Sequence, residues 1–453
     1  MLLQGKRVTV VGLGASGLAS LRLLVQQGAK VTVNDAGSRE TLGDKASAAE
    51  ALGATLDLGC HDPERLADND LIVVSPGVPA LSALDEAEAR GVKVVSEIEL
   101  ASWFIRSTVI GITGTNGKST VTTLLGEMCK ATGKPTFVGG NLGTPLVDVV
   151  GSAAAEVGGY VVVELSSFQL ERIETFRAQV GVLLNVTDDH LDRYPNFAAY
   201  AAAKGRLFAT QTRADFAVAP DGDALSTGMA RVSPASLQLF GGKQGVVRRD
   251  GPDLVDGASG LRIAVDQIGI KGDHNIDNAA AAALAARLAG VSSAQIEQVL
   301  RSFQGLGHRM QSAGAIGPVA FYDDSKATNV GAAVAAVLGL GRQDVHVVLI
   351  AGGKDKGGSY APLREIMQQH GRALITIGEA AELIEREFQE TGLPVERASS
   401  MADAVRLAHR AAQPTDAVLL APACASFDMF RSYAHRGDVF CAEVATLRDE
   451  VGP

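Results

Sequence analysis

Four cysteines in 453 residues, together with the lack of any long apolar run, exclude several classes of protein. The cysteines form neither a CxxC pair nor a Cys/His set with zinc-ligand spacing, so we expect reduced thiols and no zinc site. No apolar run is long enough to span a bilayer, and the N-terminus runs into a strand without a signal-peptide core. The sequence therefore predicts a cytoplasmic protein without membrane insertion.

Basic clusters are also missing, and the formal net charge is -10. This balance argues against a nucleic-acid partner and implies that anionic ligands are captured by local sites. The length suggests about three domains. Apolar strand patterns alternate with helical ones, which favours α/β domains with parallel sheets, and we place the domains at 1–97, 98–305 and 306–453.

A strand, a glycine-rich turn and the start of a helix follow one another at 109–120. Glycines let backbone N–H groups face phosphate oxygens, the helix N-terminus is positive, a lysine adds a cation and a serine can hold Mg²⁺. The predicted ATP-binding residues of this turn are Gly114, Thr115, Asn116, Gly117, Lys118, Ser119 and Thr120. The strict P-loop spacing fails, because Ile112 stands at its first glycine. The alternative is a tight strand-to-helix turn, which needs neither the lysine nor the hydroxyl pair.

A second glycine turn, Gly12-Leu-Gly-Ala-Ser-Gly17, lies between the first strand and helix, and Asp35 ends the next strand. This pattern is typical of a dinucleotide site, which would indicate a nicotinamide oxidoreductase. The same backbone can hold any diphosphate, and a purely structural turn is a further alternative.

Acidic residues follow two later strands. Glu164 ends the run from Tyr160, and Asp188, Asp189 and Asp192 follow the strand that begins at Val180. Carboxylates near ATP phosphates suit Mg²⁺. The three aspartates have an alternative role as caps of the helix that follows them.

The loop Thr113-Gly-Thr-Asn-Gly-Lys-Ser119 resembles the nucleotide loop of the Mur ligase superfamily, and Glu164-Leu-Ser-Ser-Phe-Gln-Leu170 resembles a segment of its glutamate-adding members. Further matches run through most of the chain. The resemblance implies a Rossmann-like N-terminal domain for a UDP-sugar, a central P-loop-type ATPase domain and a Rossmann-like C-terminal domain for an amino acid. The implied reaction is ATP-dependent addition of D-glutamate to UDP-N-acetylmuramoyl-L-alanine through an acyl phosphate, in peptidoglycan precursor synthesis.

The resemblance also implies a role for individual residues. The catalytic residues implied are Lys118, Lys204, His190 and Glu164. Further ATP contacts are Asn278, Arg309, Asp324 and Lys326. The UDP-sugar residues are Gly14, Ala15, Ser16, Gly17, Asp35, Asn141 and His190, and the amino-acid residues are Thr328, Lys356, Ser426 and Tyr433. Two Mg²⁺ ions are expected, with Ser119 on one, and Glu164, His190 and carbamylated Lys204 on the other.

Several of these residues have simpler alternatives. Lys204 has the sequence context of a surface lysine on an alanine-rich helix, Lys356 that of a solvated loop lysine, and Ser426 that of a helix cap. Gly307 stands where the family usually has proline, and Tyr433 where an aromatic without a hydroxyl is common.

The stretch Ala36-Gly-Ser-Arg39 leaves open which residue holds the uracil. The segments Asp-Asn-Pro-Arg and His-His-Pro-His-Glu, which mark sister ligases, do not occur. A folylpolyglutamate synthetase, a nicotinamide oxidoreductase and a non-catalytic ATP-binding regulator remain alternatives, and a monomer is expected.

Overall fold

The computed structural model describes residues 3–191, 193–270, 272–341, 345–389 and 391–451. Within these ranges the strands form three sheets that follow one another along the chain. Helices connect most parallel strands, which confirms the predicted three-domain α/β architecture. None of the described helices is long and apolar enough to cross a membrane.

The first sheet contains β1 Arg7–Val11, β2 Lys30–Asp35, β3 Thr55–Leu58, β4 Leu71–Val74 and β5 Lys93–Ser96. Its helices are α1 Ala15–Gln26, α2 Arg39–Leu42, α3 Asp44–Ala51, α4 Pro63–Ala67, α5 Ser82–Ala89 and α6 Glu97–Ser102. All strands pair in parallel, in the order β3-β2-β1-β4-β5. The carboxyl ends of these strands therefore share one edge, where α/β proteins bind ligands.

The second sheet begins with β6 Thr108–Thr113, β7 Thr136–Gly140, β8 Tyr160–Glu164, β9 Val180–Leu183, β10 Phe216–Pro220 and β11 Ser236–Phe240. It continues with β12 Val247–Asp250, β13 Asp253–Asp256 and β14 Arg262–Ala264. The helices are α7 Lys118–Lys130, α8 Ser167–Leu170, α9 Phe197–Gly205, α10 Ala224–Arg231, α11 Asp273–Leu288 and α12 Ser293–Ser302. The strand order is β14-β13-β12-β11-β10-β9-β6-β8-β7.

The third sheet contains β15 Gln311–Ile316, β16 Val319–Asp323, β17 Val347–Gly352, β18 Gly371–Ile377, β19 Val395–Arg397 and β20 Ala417–Leu420. Its helices are α13 Val330–Gly341, α14 Ala361–His370, α15 Ala381–Phe388, α16 Met401–Ala411 and α17 Tyr433–Val451. The order is β15-β16-β20-β17-β18-β19, and β15 is antiparallel to β16.

The described residues divide into two compact units. The first holds those of 3–186, 198–270 and 275–303, which include the first two sheets, and the second holds those of 187–197, 272–274 and 304–451. The domain limits at 97 and 305 remain predictions.

One local expectation is wrong in part. Parallel pairing ends at β12, which is parallel to β11, whereas β12, β13 and β14 pair with one another in antiparallel fashion, and the turn between β12 and β13 contains Gly251 and Pro252. Gly251 has a φ of +59°, a value that glycine adopts without strain. Helix α11 begins at Asp273, with a polar first turn before its alanine run.

The core of the second sheet explains the alanine bias of α11. The run from Ala279 to Ala286 is almost completely buried. It packs with Leu124 and Val182 in one apolar cluster. Small side chains let this helix lie close to the sheet, so the alanines are a packing feature.

A buried carboxylate fastens α6 to the chain after α8. Glu99 is 0% exposed and accepts hydrogen bonds from Trp103 Nε1 at 2.9 Å, Glu174 N at 2.9 Å and Phe176 N at 2.8 Å. Burial alone would raise the pKa of Glu99, but the hydrogen bonds, including those from Thr175, hold this pKa below its ordinary value.

Replacing Glu99 with glutamine should therefore destabilise the first unit. An amide NH₂ would face buried N–H donors, which we expect to lower the free energy of unfolding by about 2 kcal/mol. Since Trp103 is the only tryptophan, its fluorescence during guanidinium unfolding reports this region directly.

Glu127→Gln is the matched control, because 44% of the Glu127 side chain is exposed, and its unfolding midpoint should barely move. Because the folded pKa of Glu99 is lowered, its contribution is present above the unfolded-state pKa and disappears as the pH falls through the folded value. The deficit in Glu99→Gln should begin to shrink once the pH falls below the unfolded-state pKa of the carboxyl group, and a deficit that stays constant below that pH would contradict this account.

Candidate active site

A cavity of about 490 Å³ opens at the carboxyl edge of the first sheet. Its lining includes five of the predicted UDP-sugar residues, Gly14, Ala15, Ser16, Asp35 and Asn141. Gly17 is not part of the lining. A Cβ at Gly17 would lie 2.0 Å from Gly12 O, so this glycine permits the tight turn, and its direct contact with a ligand remains a prediction.

Asp35 organises the glycine turn from the end of β2. Its Oδ2 accepts a hydrogen bond from Leu13 N at 2.7 Å, and its Oδ1 accepts one from Gly37 N at 2.8 Å. The carboxylate thus fixes the backbone that faces the cavity. A hydroxyl of a ligand would use the remaining acceptor capacity of the same oxygens.

The second glycine turn follows β6. Gly114 has a φ of +153° and Gly117 a φ of +83°, so both need a residue without Cβ. Lys118 Nζ donates to Gly114 O and Thr115 O, each at 2.8 Å, which holds the lysine against the turn. Ser119 and Thr120 are buried in the first turn of α7. The helix start expected within 109–120 is confirmed and lies at Lys118.

Lys204 also lies against this turn. It is 2% exposed, and its Nζ donates to Gly114 O at 2.8 Å and lies 4.6 Å from the centre of the Tyr200 ring. The alternative of a surface lysine is therefore wrong. Tyr200 OH is 3.1 Å from Thr115 Oγ1, so the helix that carries Lys204 is joined to the turn at two points.

Asn278 packs beside the same turn. A Cβ at Gly117 would lie 2.4 Å from Asn278 Oδ1, which means that the asparagine is in close contact with the backbone of Gly117. The predicted ATP residues of the first unit are thus brought together. Their contact with a nucleotide remains a prediction.

Glu164 ends β8 and is hydrogen-bonded to Asn141, which lines the cavity at Gly14. Its Oε1 accepts a hydrogen bond from Asn141 Nδ2 at 2.8 Å, and its buried Oε2 has no hydrogen-bond partner among the described residues. An unpartnered buried carboxylate oxygen is suited to a cation. The described residues contain no cluster of three or more His, Cys, Asp or Glu that could hold a metal. Of the four residues predicted to hold Mg²⁺, only Glu164 and His190 are of these types.

His190 belongs to the second compact unit, whereas Ser119, Glu164 and Lys204 belong to the first. It has a φ of +55°, and its Nε2 lies 3.7 Å from Asp189 Oδ2. The assembly of the four residues on metal ions remains a prediction.

Arg309 and Asp324 are charged residues of the second unit that are predicted to contact ATP. Burial raises the pKa of Asp324 to about 6, although the charge of Arg309 opposes that rise. Burial and the charge of Arg309 also lower the pKa of His274. His308, with a φ of +59°, is held through Nδ1 at 2.7 Å from Asp323 Oδ2.

Tyr433 holds Lys326 in place. Lys326 Nζ donates to the Tyr433 hydroxyl at 3.0 Å and lies 4.2 Å from the centre of its ring. The hydroxyl, which departs from the usual family pattern, thus joins a predicted amino-acid residue to a predicted ATP residue. Thr328 lies two residues after Lys326, and Thr328 N donates to Lys326 O at 2.8 Å.

Lys356 pairs with a buried aspartate. Its Nζ lies 3.5 Å from Asp189 Oδ1, and Asn329 Nδ2 donates to Asp189 Oδ2 at 3.2 Å. The alternative of a solvated Lys356 is wrong, since only 18% of its side chain is exposed. The alternative role as helix caps is also wrong for Asp188 and Asp189, because the helix that follows them, α9, begins only at Phe197. Asp192 lies outside the described residues.

Ser426 is 2% exposed and does not cap a helix, since α17 begins at Tyr433. Arg436, which the sequence reasoning missed, fastens the segment before Ser426. Its guanidinium donates to Ser325 O at 2.9 Å and to Ala425 O at 3.3 Å, and burial lowers its pKa to about 10. An arginine inside a helix gave no sequence signal of this role.

Asn185 and Gln169 were also missed. Asn185 Oδ1 accepts from Asn116 N at 2.8 Å, and Asn185 Nδ2 donates to Asn116 O at 3.1 Å, so its amide clamps the nucleotide turn. Gln169 lines the UDP-sugar cavity. The sequence had drawn attention to both segments because of other residues in them. The position of each residue shortly after a strand was the signal that could have identified it.

Three family models match the chain in succession. They are the Mur ligase MurD-like N-terminal domain over 6–96, the Mur ligase middle domain over 112–286 and the Mur ligase glutamate ligase domain over 308–424. The chain is 45% identical to a UDP-N-acetylmuramoylalanine–D-glutamate ligase of Geotalea daltonii, with 99% of each chain covered. It is 43% identical to one of Desulfosudis oleivorans, with 98% of this chain and 97% of that one covered.

Solved structures show the same fold at lower identity. A pseudomurein peptide ligase type C from Methanothermus fervidus has a TM-score of 0.63 at 18% identity, over 98% of this chain and 100% of that one. The UDP-N-acetylmuramate-alanine ligase MurC from Thermotoga maritima has a TM-score of 0.59 at 17% identity, with the same coverage.

The chain therefore belongs to the Mur ligases, a family of ATP-dependent amide ligases that use Mg²⁺. Within that family, its full-length similarity places it among the UDP-N-acetylmuramoylalanine–D-glutamate ligases.

Gly14 allows a test of the cavity. A Cβ there would have no heavy atom within 4 Å, so Gly14→Leu should fold and fill the cavity. We expect the Kd for the UDP-sugar to rise about tenfold or more, a cost of about 1.4 kcal/mol, while the KM for ATP changes little. Calorimetric titration with the UDP-sugar measures the effect.

Gly228→Leu is the control, because Gly228 also has open space at its Cβ and is not part of the cavity lining. Wild-type UDP-sugar affinity in Gly14→Leu would exclude this cavity as the binding site.

Proposed function

We propose that the chain joins D-glutamate to UDP-N-acetylmuramoyl-L-alanine and converts ATP to ADP and phosphate, in peptidoglycan precursor synthesis. The observation that carries this proposal is identity of 43 to 45% to ligases of that name over nearly the whole length. The proposal is supported by two separate features, the cavity beside Gly14, which we assign to the diphosphate, and the lysine-bearing turn at Gly114, which we assign to ATP.

The chemistry needs activation because a carboxylate is a poor electrophile. Transfer of the γ-phosphoryl group to the alanine carboxylate gives an acyl phosphate, and the glutamate amine then displaces phosphate to form the amide. Lys118 and Arg309 are proposed to balance the charge that develops on the transferred group. Asn278, Asp324 and Lys326 are proposed to hold the adenosine part.

Bound Mg²⁺ would neutralise charge between the phosphate oxygens and the acceptor. Ser119 is proposed for one ion, and Glu164, His190 and carbamylated Lys204 for the other. The unpartnered Oε2 of Glu164 supports this assignment. A lysine carbamate is an anion, whereas an ammonium beside Mg²⁺ would be repelled.

Glutamate is proposed to bind in the C-terminal domain. A dicarboxylate needs two separated anchors, for which we assign Lys356 and Ser426, with Thr328 and Tyr433 beside them. Lys356 is already paired with a carboxylate, Asp189, which supports its role as a carboxylate anchor.

Three further proposals concern organisation. We assign domains to 1–97, 98–305 and 306–453, place the enzyme in the cytoplasm and expect a monomer. The four cysteines are free, in agreement with a reducing compartment.

Lys204→Ala should abolish phosphate release and recover part of it with added short-chain carboxylic acids, because a small carboxylate can replace the carbamate. Phosphate release with and without the acid measures the effect. The exposed Lys130→Ala should behave as wild type. Activity of Lys204→Ala without the acid would exclude the carbamate.

The function itself is tested by phosphate release with UDP-N-acetylmuramoyl-L-alanine and a panel of amino acids. We expect release with D-glutamate and none in the Lys118→Ala variant. Lys356→Ala should raise the D-glutamate requirement by roughly one to two powers of ten, since a charge-assisted hydrogen bond contributes about 1.5–3 kcal/mol.

Lys354→Ala is the matched control, because Lys354 is an exposed lysine two residues away. Preference for L-glutamate would contradict the assigned stereochemistry. An unchanged glutamate requirement in Lys356→Ala would contradict the anchor, and release with no amino acid on the panel would contradict the function.

A further inference from the structure

Arg309 lies between two residues with a strained backbone. His308 has a φ of +59° and Met310 a φ of +45°, although neither residue is glycine. Residues with a Cβ rarely adopt such values, which cost free energy and persist only where the surrounding structure enforces them. The contacts of these two neighbours therefore determine the direction in which Arg309 leaves the backbone.

The side chain of Arg309 does not supply that direction through its own Nε. This atom is buried and has no hydrogen-bond partner among the described residues. An unpaired buried donor is suited to an anionic ligand, but it does not fasten the side chain to the protein. What fixes Arg309 before a ligand binds has to be sought in its neighbours.

His308 is held by a carboxylate of the third sheet. Its Nδ1 lies 2.7 Å from Oδ2 of Asp323, the last residue of β16, which is 0% exposed. Because a carboxylate only accepts, Nδ1 carries the hydrogen and donates it. The other oxygen, Oδ1, accepts from Ser325 N at 2.8 Å. Both oxygens of Asp323 are thus engaged, which prevents the carboxylate from turning away from His308.

Helix α17 leaves room for this pair at one glycine. A Cβ at Gly437 would lie 2.2 Å from His308 Nδ1 and 2.5 Å from Asp323 Oδ2. Both distances are shorter than close-packed atoms allow, so a side chain there would displace the imidazole from the carboxylate. One turn later, Cys441 Sγ lies 3.6 Å from the same oxygen of Asp323. Sheet and helix therefore enclose the pair in one arrangement.

The backbone of this segment is fixed as well. His308 N donates to Gln311 Oε1 at 2.9 Å, and Lys326 N donates to His308 O at 3.2 Å. The backbone N–H of Met310 donates to the carboxylate of Asp324. His308 is thus held at its N–H, its carbonyl and its side chain, and these contacts enforce its left-handed backbone.

We propose that Asp323 is a positioning residue for phosphoryl transfer, which acts through His308 to fix the direction of Arg309. The inference rests on the proposed function, in which Arg309 balances charge on the transferred group. A cation that is placed in advance stabilises the transition state without reorganisation. The strain at His308 is retained because it keeps Arg309 in one orientation before ATP binds.

Asp323→Ala removes the contact without touching Arg309. We expect the kcat of D-glutamate-dependent phosphate release to fall about 10- to 100-fold, since a displacement of about 1 Å can cost about two powers of ten in rate. The KM for ATP and the Kd for the UDP-sugar should change less than about threefold, because the lost interaction acts in the transition state.

Asp438→Asn is the matched control. Asp438 Oδ1 lies 3.6 Å from the other ring nitrogen of His308, and 72% of the Asp438 side chain is exposed. An exposed charge pair contributes little, so this variant should keep the kcat of wild type.

Two substitutions of His308 test the strained backbone separately. His308→Ala and His308→Asn both remove the imidazole, but asparagine adopts a left-handed backbone more readily than alanine. His308→Asn should therefore retain a kcat roughly threefold or more above that of His308→Ala. Asp323→Ala combined with His308→Ala should be no slower than the slower single variant, because both substitutions remove the same contact.

A kcat of Asp323→Ala within about threefold of wild type would overturn the proposal. A raised KM for ATP at unchanged kcat would also overturn it, because Asp323 would then serve ground-state binding through its neighbour Asp324. Multiplied losses in the double variant, or equal kcat values of His308→Ala and His308→Asn, would show that the two residues do not act through the backbone at Arg309.

The His308 pair decides the question alone if Asp323→Ala does not fold, since His308 lies near the surface with 18% of its side chain exposed. Failure of the proposed function is a separate result, namely no D-glutamate-dependent phosphate release from wild type with UDP-N-acetylmuramoyl-L-alanine.

Discussion

The parallel pairing of β6 with β8 and β9 is the constraint on which the central site depends. The register sets Ile112 beside Glu164 and Thr113 beside Leu183. Strands β6, β8 and β9 therefore end at one level. This brings together the glycine turn after β6, the carboxylate of Glu164 and the side-chain amide of Asn185. A slip of one residue would reverse the faces of the side chains and move all three groups apart.

Electrostatics acts locally in this acidic chain. Gly114 O accepts hydrogen bonds from both Lys118 and Lys204, so two amines meet at one backbone oxygen. An anionic phosphate oxygen is a stronger acceptor for such amines than a neutral carbonyl. The turn at Gly114 can therefore offer two amine donors to a phosphate, although the net charge of the chain is -10. In the second unit, Asp189 is the acceptor that pairs with Lys356. The carboxylate of a ligand carries a similar charge and can compete with Asp189 for that lysine.

The sequence predicts best where structure depends on neighbouring residues. The strand before the turn at Gly12, the strand that ends at Asp35 and the helix start within 109–120 were found, because burial and glycine turns leave local patterns. The polar strands β12–β14 were not found, since they owe their pairing to one another and to the sheet edge rather than to an apolar run. The contacts of Asp189 with Lys356 and of Arg436 with Ser325 join residues more than 100 positions apart, and only the fold specifies them.

The two glycine turns differ in the charge that each must stabilise. Among the described residues that line the cavity at Gly14, none is lysine or arginine. The turn at Gly114 carries Lys118 and touches Lys204. A diphosphate that only anchors a substrate keeps its charge throughout the reaction, and backbone N–H groups at a helix N-terminus suffice for it. A phosphoryl group that is transferred changes its charge distribution in the transition state, and placed cations stabilise that change more than they stabilise the bound reactant. The lysines are therefore what we expect of a turn that performs phosphoryl transfer, which is the role that we propose for the turn at Gly114, whereas the turn at Gly14 is proposed only to hold a diphosphate.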